Sequence, residues 1–468
     1  MMTEFPGISR REALQSLGMA SAGMALGCGR RGGIWGLHGE IERVVGSTPF
    51  VDTHEHLADE VDRLAGRGVP CDDWSLLLYD YVSPDLLSAG MSKKENAQFF
   101  SKHADPLQKW EILEPYWPRV KNTGYGRAVQ ITIQDLYGIG ELGAETIPRL
   151  QSAYEKLRQP GMYQRILIET ANIESCQVNS SRLPFRESTQ PHLLMQDLSF
   201  QTLHIDPKFE KLSQMAGIRV RSLEDWHRVI RWWFDTYSIY AVAAKSQGAY
   251  LRGLNYRQAK PEEAEPVFDR MLSGEKMPRG EKKVVEDHLF WFCVDQATRH
   301  RLPVKIHTGY LAVGRQGSFR RVANHFREIV ELCRRAPETQ FVFLHISYPY
   351  WQELITLAKR YANAHAEMSW AWITNPTAAQ EFLKQYLVTA PANKVFTFGG
   401  DYAVAECVVG HSVMARRGIT QALTDLVEEG WLQRQDALDL VEPLLRGNAR
   451  ELFRLEEKSR NLSQAPWI

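Results

Sequence analysis

The sequence lacks net charge, clustered cysteines and long apolar runs, and each shortage closes off a class of protein. Lys plus Arg and Asp plus Glu are 56 each, a balance that gives no support for a nucleic-acid binder. The six cysteines (Cys28, Cys71, Cys176, Cys293, Cys333 and Cys407) stand at least 40 positions apart. No C-x-x-C pair exists, which argues against a zinc ribbon, a thioredoxin-type redox site and a small disulfide scaffold. No segment carries about 18 consecutive apolar residues, so no transmembrane helix is expected. There is no internal repeat, and no Gly-rich phosphate turn follows the first strand-like run. What is there is ordinary: 44% hydrophobic and 24% charged over 468 residues, a globular composition long enough for a large core.

The start of the chain reads as a targeting segment. Arg10 and Arg11 precede about 16 residues of low charge, a basic region followed by a short apolar one. Ser9-Arg10-Arg11-Glu12-Ala13-Leu14 resembles a twin-arginine export signal with Ala13 where Phe is usual. Ala25-Leu26-Gly27-Cys28 is a blurred lipobox. Residues 1–28 are therefore expected to be an export signal that directs the chain to the periplasm or cell envelope. Lipid attachment at Cys28, and an amphipathic first helix of a cytoplasmic protein, are the alternatives. Residues 29–48 read as a linker and lead-in.

Eight short apolar runs follow: FVDTHEHL (50–57), IESCQVN (173–179), LLMQDLSF (193–200), SIYAVAAKS (238–246), LPVKIHTGY (302–310), QFVFLHIS (340–347), HAEMSWAW (365–372) and KVFTFGGDY (394–402). Helical patterns separate them, except between the second and third. Strand–helix alternation implies parallel strands with right-handed crossovers. The expected fold is a (β/α)8 barrel over 49–458, with a helical insertion at 58–170 after the first strand. An open doubly wound sheet is the runner-up.

The chemistry-bearing residues fall at the predicted C-terminal ends of these strands, where a barrel places its active site. His54 and His56 are two apart on one strand, so both imidazoles share a face, and two converging imidazoles suit a divalent cation. His307 ends VKIH, His345 ends FVFLH, and Asp401 follows FTFGG. A structural origin would have to explain four strands ending in ligand-type residues. Lys245, near the end of the fourth strand, has three open readings: a carboxylated bridge between two metals, a point charge for a substrate carboxylate, or a side chain reaching solvent at the rim. Arg252 reads either as an anion-binding group or as a solvated loop residue. Trp370 and Trp372 are expected on one face of the seventh strand, with one walling the pocket.

On the motifs VDTHEH, LPVKIHTG, FLHISYP, FTFGGDY and LLRGNARELFRL, the sequence resembles the amidohydrolase superfamily in its amidohydrolase-related branch, from about residue 50 to 455. That branch holds metal-dependent hydrolases, decarboxylases and uronate isomerases. The insertion and the runs IHTGY and AKSQGAYLRGL are similar to the amidohydrolase domain fused to glutamine synthetase in some plant and fungal proteins. The resemblance implies a divalent metal held by His54, His56 and Asp401 with His307 as fourth ligand. Asp401 would accept a proton from water, and His345 would act as an acid/base or further ligand. One zinc is expected, with manganese, iron or a second metal as alternatives. The implied activity is hydrolysis of a C–N or C–O bond in a small molecule. A non-oxidative decarboxylase and a uronate-type isomerase are the enzymatic alternatives, and a solute-binding barrel is the non-enzymatic one. Oligomeric state stays open, including a homo-oligomer.

Overall fold

A computed structural model describes residues 36–180, 182–207, 209–312 and 319–468. The expected export signal, with Arg10, Arg11 and Cys28, lies outside the described residues, as does the start of the expected linker. Residues 36–47 are helical. Ile41 and Val45 on that helix are buried, and the Arg416 guanidinium donates to Thr48 O at 2.8 Å. The lead-in is therefore packed against the barrel.

The strands are β1 (Phe50–Glu55), β2 (Ile173–Val178), β3 (Leu194–Gln196), β4 (Leu198–Ser199), β5 (Ala244–Ser246), β6 (Val304–Ile306), β7 (Phe341–Phe343), β8 (Ala364–Glu367) and β9 (Val395–Phe396). Every pair is parallel. β3 and β4 are halves of one barrel strand split at Asp197, whose N–H donates to Val178 O while Leu198 N–H donates to Ala243 O. The last gap closes where Thr53 N–H donates to Phe398 O at 3.0 Å and Asp401 N–H to His54 O at 2.9 Å. The result is the eight-stranded (β/α)8 barrel that strand–helix alternation predicts.

Residues 58–170 contain helices, the longest Gly124–Tyr137 and Ile147–Leu157, and no strand among the described residues. Val51, Met195, Val242, Val342 and Phe396 form an apolar plug at the N-terminal ends of the strands, covered by Phe453. A second and larger apolar layer joins strands to helices.

Several strands stop sooner than their apolar runs. β8 ends at Glu367, and Trp370 turns with φ +63°. Trp370 and Trp372 therefore do not share a strand face, as the sequence suggests. Trp372 lies in the helical turn Ala371–Thr374 and donates to Thr397 O at 2.8 Å. Trp370 packs edge-on against His345, with ring centroids 5.5 Å apart.

Burial also sets an acid limit. Burial lowers His227, His325, His345 and His365 from 6.5 to about 4 each. The unfolded chain takes up protons at these sites below about pH 6.5, whereas the folded one does so only near pH 4. Stability should therefore fall as the pH drops from 6.5 toward 4, by up to about 1.4 kcal/mol per pH unit for each site. Urea unfolding at pH 7 and pH 5 checks this. Equal midpoints would mean that these histidines are already charged in the fold.

Candidate metal centre

β1 delivers two histidines and the exit of β9 delivers the carboxylate. Gly399 and Gly400 let the last strand approach β1 closely. A Cβ on Gly399 would lie 2.9 Å from the Glu367 carboxylate, and one on Gly400 would sit inside the Glu55 carboxylate. Gly400 N–H donates to Asp52, and Tyr402 N–H donates to Glu55 at 2.6 Å. Burial raises Asp52 to about 7 and, with Asp52 beside it, lifts Glu55 well above the usual carboxylate range. The two acids anchor the turn through these backbone N–H groups, so Asp52 is structural. Asp401 then takes φ +61°, a left-handed conformation that Asp tolerates better than most residues. The Tyr81 hydroxyl, from the helical insertion, donates to its carbonyl.

This turn brings Asp401 Oδ1 to 3.2 Å from His54 Nε2 and 3.4 Å from His56 Nε2. Two ligands held about 2.0–2.2 Å from one tetrahedral ion lie about 3.3–3.6 Å apart, so the spacing fits a cation. The donor chemistry fits as well. His56 Nδ1–H donates to Asn179 O at 3.0 Å, which leaves the Nε2 lone pair facing Asp401. Among the described residues, the buried Nδ1 of His54 has no hydrogen-bond partner. His54, His56 and Asp401 form a three-ligand set whose donor atoms all lie within 4.8 Å of one another. Burial, with Lys245 beside it, drives His54 well below its ordinary pKa. Burial works to raise Asp401, but the neighbouring His54 and His345 outweigh it and hold the carboxyl well below the usual range. The site thus offers an ionised carboxylate beside two histidine ring nitrogens. It meets solvent at His56, whose side chain is 24% exposed while that of His54 is 0%.

His307 and His345 lie beside this set. His345 Nε2 is 3.9 Å from Asp401 Oδ2 and 3.0 Å from His307 Nδ1. His307 Nε2 lies 3.0 Å from Tyr310 O. That carbonyl only accepts, so it fixes the His307 proton on Nε2. Ser369 O, 3.1 Å from His345 Nδ1, likewise fixes the His345 proton on Nδ1, so that the His307 Nδ1 and His345 Nε2 lone pairs face each other. The nitrogen that His307 could offer a metal thus faces His345, and His307 is not brought into the three-ligand set. His345, Ile346 and Ser347 all have positive φ, +62°, +47° and +51°. This left-handed exit from β7 is not visible in the sequence.

Lys245 is fully buried, its Nζ 3.3 Å from His54 Nε2, and burial lowers it to about 7. The rim reading of Lys245 therefore does not hold. Arg252 is neither a free anion binder nor a solvated loop residue. It is buried, bonded to Glu286 at 2.9 Å and to Asp287, and it covers the Tyr256 ring. The sequence reading missed Gln247, whose Nε2 lies 3.0 Å from His56 Nε2. Gln247 follows Lys245 by two residues, and the alternation that pairs His54 with His56 would have found it. It also missed Tyr81 and Ser369; the Ser369 hydroxyl is 3.0 Å from His345 Nδ1. No spacing in the sequence connects either to the site.

A barrel with two histidines on its first strand and an aspartate at the exit of its last defines a metal-dependent enzyme class. Residues 240–455 match the family model described as Amidohydrolase. Protein fluG of Emericella nidulans is 23% identical over 228 residues, which cover 46% of this chain and 26% of that protein. The aligned region thus spans about a quarter of the relative's length. The fold is similar to that of a uronate isomerase from Thermotoga maritima (TM-score 0.73, 16% identity, 89% of this chain and 97% of that one). It is also similar to a glucuronate isomerase from Caulobacter crescentus (TM-score 0.72, 16% identity, 90% and 95%). At such identity the likeness is one of fold. Among the described residues, no helix is long and apolar enough to cross a membrane.

Proposed function

We propose that the protein is a metal-dependent hydrolase that cleaves a C–N or C–O bond of a small molecule. The observation that carries this reading is the Asp401 carboxylate set 3.2 and 3.4 Å from the Nε2 atoms of His54 and His56. A divalent cation held by His54, His56 and Asp401 would supply a Lewis acid and a coordinated water of lowered pKa. The mixed N/N/O donor set suits a single zinc, with manganese or iron as alternatives. Asp401 Oδ1 faces the imidazoles, so Oδ2 is the oxygen free to accept a proton from attacking water. His345 holds its proton on Nδ1 against Ser369 O and keeps its Nε2 lone pair 3.9 Å from that oxygen, where it can take up a proton. With that proton it is placed to steady developing negative charge or to protonate the leaving group. Trp370, stacked on Tyr81 at 5.0 Å, shields this side of the site from bulk water.

A second reading, non-oxidative decarboxylation, is favoured by Lys245, a buried cationic group beside His54 that suits a substrate carboxylate. Uronate-type isomerisation on the same site rests on the fold likeness alone. Solvent isotope labelling separates them. The purified protein is loaded with zinc, screened against amides, lactones and aromatic carboxylates, and run in H2(18)O. Hydrolysis places one solvent oxygen in the product per turnover. Turnover that releases CO2, or that rearranges substrate without taking up solvent oxygen, would overturn the hydrolase reading.

A further inference from the structure

Lys245 and Gln247 stand two residues apart at the exit of β5, and each meets a different histidine of the metal set. Lys245 Nζ is 3.3 Å from His54 Nε2, and Gln247 Nε2 is 3.0 Å from His56 Nε2. A ring nitrogen has one lone pair in the plane of the imidazole, so it serves a hydrogen-bond donor or a cation but not both. The other nitrogen of His56 already donates to Asn179 O, so the two demands fall on the same atom.

We propose that Lys245 and Gln247 are a displaceable donor pair: they compete with the cation for His54 and His56, and once displaced they bind a carboxylate of the substrate next to the bond that reacts. The cation thereby couples its own binding to the assembly of the substrate pocket. The inference rests on the metal-centre reading above and adds a substrate class, small molecules bearing a carboxylate.

Nearby cations offer no rival. The Arg252 guanidinium is held by Glu286 and Asp287. Lys305 is held by both oxygens of Asp197, each at 2.9 Å, and by Thr53 O. Among the described residues, Lys245 has no carboxylate within ion-pair distance, and its Nζ has a displaceable imidazole as its one hydrogen-bond partner. The Gln247 amide supplies two further donors on the open, His56 side of the site. An ammonium and an amide placed two residues apart on one strand exit suit the two oxygens of a carboxylate.

The test uses the full chain stripped of metal, with zinc alone as the first probe and acetate as the second. Calorimetric titration with zinc should give one ion per chain. Zinc should bind about threefold to tenfold more tightly in Gln247→Leu, because a competing hydrogen bond has been removed, and at least as much more tightly in Lys245→Met. A merely structural role for either residue would weaken zinc binding instead. Acetate should bind zinc-loaded wild type and bind about tenfold or more weakly to zinc-loaded Lys245→Met. If Lys245→Met does not fold, Lys245→Gln serves for the acetate comparison and Gln247→Leu for the zinc one. Absence of zinc binding to wild type would overturn the metal centre itself. One zinc per chain with unchanged or weaker affinity in the variants would overturn the competition and leave the metal centre standing. Equal acetate binding in wild type and the Lys245 variant would overturn the substrate role.

Discussion

Asp401→Asn should lower kcat/KM by about 10³-fold or more while leaving the fold intact. A positioned acid or base contributes typically 10²–10⁴-fold, and this carboxylate is also a ligand in the only three-residue donor set among the described residues. The amide neither takes the proton nor supplies the negative charge between the imidazoles. The fold should survive because Asn keeps what the backbone needs. It tolerates the left-handed conformation, φ +61° here. It preserves the N–H bond to His54 O and the carbonyl that receives the Tyr81 hydroxyl. Asp401→Ala would be a poorer test, since it adds backbone strain to the lost charge. Circular dichroism, thermal unfolding and zinc titration on the same preparation check the prediction. Activity within tenfold of wild type would remove Asp401 from the chemistry.

The parts of this site that were legible in the sequence are those governed by local periodicity. His54 and His56 lie two apart on a strand, and His307, His345 and Asp401 each end an apolar run, so a barrel puts all five near one mouth. What was not legible depends on contacts between residues far apart in the chain. The partners of Arg252 lie 34 and 35 positions downstream, and that distance turns an apparent loop arginine into a buried structural one. The proton on His307 is fixed by Tyr310 O, and only the geometry of the turn after β6 shows which nitrogen is free. The strand at HAEMSWAW reads too long because aromatic residues favour strands. Ser369 instead folds back on Glu367, its N–H bonded to the carboxylate at 2.7 Å, and Trp370 donates its N–H to Gly399 O at 3.0 Å. Tyr81 reaches Asp401 from a helical insertion whose sequence gives no sign of where it docks.

The layer beneath the metal set should show the largest stability effect. Lys305 and Asp197 are fully buried, with Nζ 2.9 Å from each carboxylate oxygen. Nζ also lies 5.0 Å from the centre of the Phe453 ring, so the ion pair sits directly on the apolar plug. Burial lowers Lys305 and raises Asp197, which is the desolvation cost each charge bears. Their close pairing offsets that cost only while both are present. Lys305→Met should therefore destabilise the protein by about 3–5 kcal/mol, because it strands an uncompensated carboxylate in the barrel. Lys305→Met combined with Asp197→Leu should recover most of the loss, since an apolar pair of similar volume is often neutral in such a place. The double variant should nevertheless bind zinc more weakly than wild type. Lys305 also donates to Thr53 O at 2.8 Å, on the residue preceding His54, and neither replacement restores that bond. Denaturant unfolding of the single and double variants, with zinc titration of the double, separates the two roles. If the double variant stays as unstable as the single one, the loss lies in packing. If it recovers both stability and zinc affinity, the bond to Thr53 does not position His54.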